Sequence, residues 1–236
     1  MGLLFMQGQV KGSTLPVLEL NLEKGESVFA PHGELGWMSP TIKLTQTITG
    51  GKGFLNAVKR MAAGGGLVMT KYTADDAAGM VTFPTHLPGS IFPVDITPGH
   101  GILCHSHGWL AGTEGVNTTA GFQKKLGSAL FGGEGFVLQK LEGQGTAWLE
   151  LSGEVSRYDL QPGETMLAHP GHVGAFVDSV DFSITTVKGI RNKIFGDDGL
   201  FLAKLTGPGT IWLQSLALSR LAADIYPYLP EPSSSS

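Results

Sequence analysis

Cysteine is all but missing from this chain. Cys104 stands alone among 236 residues, so no intrachain disulfide can form and packing must hold the fold. That fits a reducing compartment, and a cytoplasmic location is expected. Positive charge is also short: 16 Lys and Arg against 20 Asp and Glu leave a net charge of −4. No bulk field is available to gather phosphates, and nucleic acid is not expected as a partner. Charged residues of either sign make up only 15% of the chain, while glycine occurs 35 times. This implies many tight turns and a weakly charged surface of the kind that meets a partner. No window approaches twenty consecutive apolar residues, which excludes a spanning helix. The opening MGLLFMQGQVKG lacks the basic and cleavage features of a targeting segment and puts Met6 where a myristoylation motif wants Ser or Thr. The closing serines predict a disordered tail over 230–236.

What the sequence does have is self-similarity. The segment GFVLQKLEGQGTAWLE begins at Gly135, and GLFLAKLTGPGTIWLQ begins at Gly199, sixty-four positions later. A faded copy begins at Gly66, and a lysine holds the equivalent place each time: Lys71, Lys140 and Lys204. A second segment recurs around the turn glycines Gly25, Gly99 and Gly163, the last two again sixty-four apart. Both segments therefore belong to one unit repeated in step. The expectation is a single all-β domain over 1–229 with three divergent repeats, about 15–90, 91–155 and 156–215.

Each unit reads as short strands bounded by glycine turns, with the paired segments forming hairpins. Lys or Pro before the corner glycine suits a type II turn, whose third residue needs a positive φ. Between the two segments of each unit lies a basic amphipathic stretch, from Gly53, Gly121 and Lys188. Its spacing predicts short helical insertions ended by glycines. A final helix over 216–226 sets Leu218, Leu221, Ala222 and Ile225 on one face, stops at Pro227 and is expected to pack across the sheets.

The runs FQKKLGSALFGGEGFVLQKLEGQGTAWLE, GLFLAKLTGPGTIWLQSLALSRLA and LEKGESVFAPHGELGWMS resemble the altered inheritance of mitochondria twenty-four family, a mitochondrial biogenesis family. The likeness covers roughly residues 15 to 223. It implies a β-sandwich or β-roll pseudo-barrel with internal duplication, related in fold to the tryptophan RNA-binding attenuator superfamily. The yeast mitochondrial member is tied to inner-membrane cristae organisation, and no catalytic residues come with the resemblance.

Chemistry has few places to reside. GHGILCHSHG brings His105 and His107 to one face of a strand. A cupin-like reading adds Glu114, but six residues separate it from His107 where that motif has three or four. The repeat places His32, then His105 and His107, then His169 and His172 at matching corners. If these converged, His105, His107, His169 and His172 would be the candidate ligands of a metal, with zinc the natural ion for imidazoles. Otherwise they are turn histidines, and no cofactor is expected. Cys104 beside His105 could be a thiolate pair but sits in an apolar run, where a free cysteine is a small core residue. Glycine clusters such as GGEG lack the strand-to-helix context of a phosphate loop. The repeated lysines read as strand ends reaching for the rim. Trp148 and Trp212 read as core or subunit-interface anchors, while Trp37 and Trp109 sit nearer corners and read as more exposed.

The basic stretches supply a candidate partner or membrane face: Phe54, Lys59 and Arg60; Phe122, Lys124 and Lys125; Arg191 and Lys193. The expected function is that of a non-enzymatic, self-associating β scaffold with a protein or membrane partner. A metal protein on the histidine corners is the alternative, and RNA binding by fold analogy the second.

Overall fold

The computed structural model describes residues 8–48, 68–124, 136–187 and 200–230. The first repeat supplies β1 (Gly8–Lys11), β2 (Val17–Leu22), β3 (Ser27–Pro31), β4 (Ile42–Ile48), β5 (Val68–Ala74) and β6 (Gly79–Pro84). The second supplies β7 (Gly89–Ile96), β8 (Ile102–His105), β9 (Trp109–Thr113), β10 (Val116–Lys124), β11 (Phe136–Gly143) and β12 (Gly145–Ser152). The third supplies β13 (Val155–Leu160), β14 (Thr165–Ala168), β15 (Val173–Val177), β16 (Asp181–Val187), β17 (Leu200–Thr206) and β18 (Gly209–Gln214), followed by helix α1 (Leu218–Ile225). The protein is thus strand-rich, with antiparallel sheets and one C-terminal α-helix among the described residues. The corner glycines do what their spacing predicts: Gly25, Gly99 and Gly163 adopt φ of 88°, 82° and 80°, a region that L side chains avoid.

The strands form sheets of order β4-β5-β3-β9-β12-β7 and β10-β11-β8-β15-β18-β13, with three-stranded sheets β1-β2-β6 and β14-β17-β16. Each six-stranded sheet joins three strands of one repeat to three of the next. The expected hairpins are therefore corrected. β11 and β12 are separated by one residue, yet β11 pairs with β10 and β8, and β12 with β7 and β9. Gly143 and Gly145, at φ of 110° and 149°, turn the chain between sheets. A Cβ at Gly143 would run into the carbonyl oxygen of Gly115, so only glycine fits this corner.

Three apolar clusters fill the repeats. The first gathers Leu18, Leu20, Tyr72, Val81, Phe83 and Trp148. The second gathers Ile96, Cys104, Trp109, Leu141 and Leu149. The third gathers Leu138, Val173, Phe176, Leu205 and Ile211. Trp148 and Trp212 occupy equivalent places, paired with Ala111 and Ala175. Trp148 is buried, whereas Trp212 stays half-buried, stacked on Phe92 at 6.1 Å. Trp109, expected near the surface, is buried and donates Nε1–H to the Ala111 carbonyl at 2.8 Å. Trp37 is exposed.

Two further expectations change. The helix α1 forms but buries none of its residues, and Leu218 and Ile225 remain 45% and 46% exposed. Ala217, just before it, is the last buried residue among those described, so the helix leaves the sheets instead of crossing them. Gly121–Lys124 is strand, not helix. β10 runs through a bulge after Ala120 to pair Gln123 with Val137 and Lys124 with Phe136, so the β11 ladder takes up its backbone groups. The remaining insertion residues and 231–236 lie outside the described residues.

Candidate functional site

Each repeat carries one long hairpin at the same place in its scheme. β4 and β5 close with Ile48 opposite Val68, β10 and β11 with Lys124 opposite Phe136, and β16 and β17 with Val187 opposite Leu200. The basic amphipathic stretches are the connections of these three hairpins. Phe122 and Lys124 lie on β10, while Phe54, Lys59, Arg60, Lys125, Arg191 and Lys193 lie outside the described residues.

The histidine corners form two pairs. His105 and His107 have ring centroids 5.7 Å apart, and His169 and His172 have theirs 5.9 Å apart. Backbone geometry occupies part of their bonding capacity: Gly171 N–H donates to His169 Nδ1 at 3.3 Å, and His172 Nδ1–H donates to the Gln214 carbonyl at 2.8 Å. Burial, with His107 beside it, lowers His105 to about 4, and burial with His172 nearby also lowers His169. Both are neutral at pH 7. Among the described residues no three His, Cys, Asp or Glu side chains are grouped to hold a metal ion. Glu114, the carboxylate a cupin-like reading wanted, is instead 3.3 Å from Lys71 Nζ. Burial pushes the Cys104 thiol up to about 12, against a hydrogen bond with Gln139 that lowers it. It is a neutral core group, not a thiolate.

A different cluster carries the perturbed chemistry. His86, on the connector between β6 and β7, stands between two carboxylates. Its Nδ1 is 2.9 Å from Glu150 Oε1 on β12, and its Nε2 is 3.2 Å from Glu34 Oε2 on the loop after β3. The two carboxylate side chains are only 11% and 13% exposed. Desolvation raises Glu34 to about 7, with His86 opposing and Glu150 adding to the rise. Burial raises Glu150 as well. His86 is raised although burial, its largest influence, pulls it down: the hydrogen bond to Glu150 and both carboxylate charges win. Glu34 Oε2, Glu150 Oε2 and Thr85 Oγ1 are buried without a hydrogen-bond partner among the described residues. The Glu34 oxygen is close enough to His86 for ion pairing without the alignment of a hydrogen bond.

The Mitochondrial biogenesis AIM24 family model matches residues 8–216, nearly the whole strand framework. The chain belongs to this family. An uncharacterized protein of Streptococcus pyogenes serotype M6 is 26% identical over 223 residues, covering 92% of this chain and 88% of that protein. A crystal structure of a Streptococcus pyogenes protein superposes with a TM-score of 0.74 at 22% identity, over 95% of this chain and 100% of that one. That likeness shows a shared fold.

In this AIM24 member, sequence reasoning found the corner histidines but missed Glu34, His86 and Glu150. These three are far apart in the chain, and His86 lies outside both repeated segments. Only Glu150 carried a signal: it sits sixty-four positions before Gln214, a carboxylate where the third repeat keeps an amide. No helix among the described residues is long and apolar enough to cross a membrane.

Proposed function

We propose that this AIM24-family protein is a non-catalytic, self-associating β scaffold that presents three basic hairpin connections to an anionic surface in the cytoplasm. The observation that carries the reading is positional: the three amphipathic stretches all join the same two strands of their repeats, at matching ladder ends. Each connection carries or adjoins a cationic cluster: Lys52, Lys59 and Arg60 in the first, Lys124 and Lys125 where β10 ends in the second, and Lys188, Arg191 and Lys193 in the third. The chain is otherwise weakly charged, and basic groups near an anionic bilayer contribute about 1 kcal/mol each. The neutral Cys104 and His105 weigh against nucleophilic chemistry at the one place where thiol and imidazole adjoin.

Co-sedimentation with phosphatidylserine vesicles tests the reading. Binding is expected to anionic but not to neutral vesicles, and removing the Lys124 and Lys125 charges should weaken it roughly thirtyfold, as about 2 kcal/mol implies. Absence of binding, or binding indifferent to those charges, contradicts the surface role. Sedimentation velocity tests self-association separately, and a monomer at all concentrations contradicts that part.

A further inference from the structure

The junctions between repeats are built from matching rows of residues. At the first, Lys71 on β5 lies opposite Phe29 on β3, which lies opposite Gly112 on β9. Two residues past Gly112, Glu114 reaches back to Lys71 at 3.3 Å. At the second, Lys140 lies opposite Leu103, which lies opposite Phe176. Two residues past Phe176, Asp178 meets Lys140 at 3.2 Å. The third row begins in the same way, with Lys204 on β17 opposite Leu167 on β14.

The first repeat then breaks the pattern. Met38 is bridged to Val81 as Gly112 is to Ala147 and Phe176 to Ile211. Counting two residues on puts Pro40 where Glu114 and Asp178 stand. Proline offers Lys204 no carboxylate. It also lacks the N–H that Asp178 donates to the Gly101 carbonyl at 2.9 Å. Among the described residues no ladder pair joins β14 to the first repeat, and Lys204 makes no ion pair. Exposure follows the same line. Trp37 is 53% exposed where its counterparts Ala111 and Ala175 are fully buried, and Leu167 is 51% exposed. Met166 and Ala168 are half-buried where their counterparts Val28, Ala30, Ile102 and Cys104 are buried.

We propose that the free edge of β14 is a docking site for an extended, uncharged and largely apolar segment of a partner protein, followed by an acidic residue that pairs with Lys204. The occupants of the two equivalent edges define that chemistry. They are Leu110–Glu114, LAGTE, and Gly174–Asp178, GAFVD, each placing its acid two residues beyond the one facing the centre of the edge. β14 itself carries no charge, so nothing on the strand repels such a segment, and added-strand recognition supplies the backbone bonds its edge lacks. Pro162 and Pro170 bracket the strand and limit the site to about one short segment. This surface is separate from the basic hairpin connections and stands independently of their role.

The test uses the full chain and a synthetic peptide with the sequence of residues 173–179, VGAFVDS. Titration followed by hydrogen exchange is expected to give saturable binding with new protection confined to β14. Lys204→Glu should weaken binding at least tenfold, and a peptide with Lys in place of its Asp should restore binding to that variant. Lys204 is exposed, so the charge reversal leaves the core intact. No binding, binding indifferent to Lys204, or protection elsewhere overturns the proposal. So does concentration-dependent protection of β14 in the protein alone, which would make a second copy the occupant.

Discussion

Among single residues, Glu34 is the most informative. Its folded-state value of about 7 lies above the ordinary 4.5 because burial disfavours its charge. A raised acid binds its proton more tightly in the folded state, so its stabilising contribution is complete below about 4.5 and is lost as pH rises through 7. Glu34→Gln keeps the neutral form at every pH. Thermal unfolding should therefore show the variant more stable than wild type at pH 8, by at least about 2 °C, with the difference vanishing near pH 4.5. His105 works in the opposite sense: lowered to about 4, it stabilises above 6.5 and fails on acidification. It is common to both proteins and cancels in the comparison. Trp148 makes a second residue-scale prediction. Replacing it with Ala should cost about 3 to 5 kcal/mol in denaturant unfolding, and Trp212→Ala less, because Trp212 is only half-buried. The sequence repeat made these two tryptophans legible. The Glu34–His86–Glu150 cluster was not legible, because its members converge from a corner, a connector and a strand that share no motif.

For the elements, short apolar runs between glycines mark strands such as β11, β12, β17 and β18 in the sequence itself. Their partners escaped because the ladder connects strands of different repeats, and adjacency in sequence says nothing about that. The bulge that carries β10 through Gly121–Lys124 overrode a local pattern that also suits a helix. The spacing around α1 predicts both a helix and a packing face, and only the helix is found. Its apolar stripe is real, yet no residue in it is buried. Truncation after Ala217 should therefore change stability by no more than about 0.5 kcal/mol in chemical unfolding. A larger loss would mean that the helix packs on the sheets.

At the scale of the whole molecule, three repeats and their turn glycines were plain in the sequence, as was the family. The unequal closure of the three repeats was not, because Pro40 reads as an ordinary turn residue until the ladders align it with Glu114 and Asp178. Repeats one and two, and two and three, are joined through strand edges, while among the described residues the edge of β14 takes no ladder partner. Gly101 turns both its N–H and its C=O toward Asp178, so Leu103, two residues on, turns the same way. Phe29 and Leu167 are its counterparts. Native-state hydrogen exchange read by NMR at these three amides tests the claim directly. The account predicts that Phe29 and Leu103 exchange at least about a hundredfold more slowly than Leu167; equal protection at all three would contradict it and mean that the third junction is closed like the others.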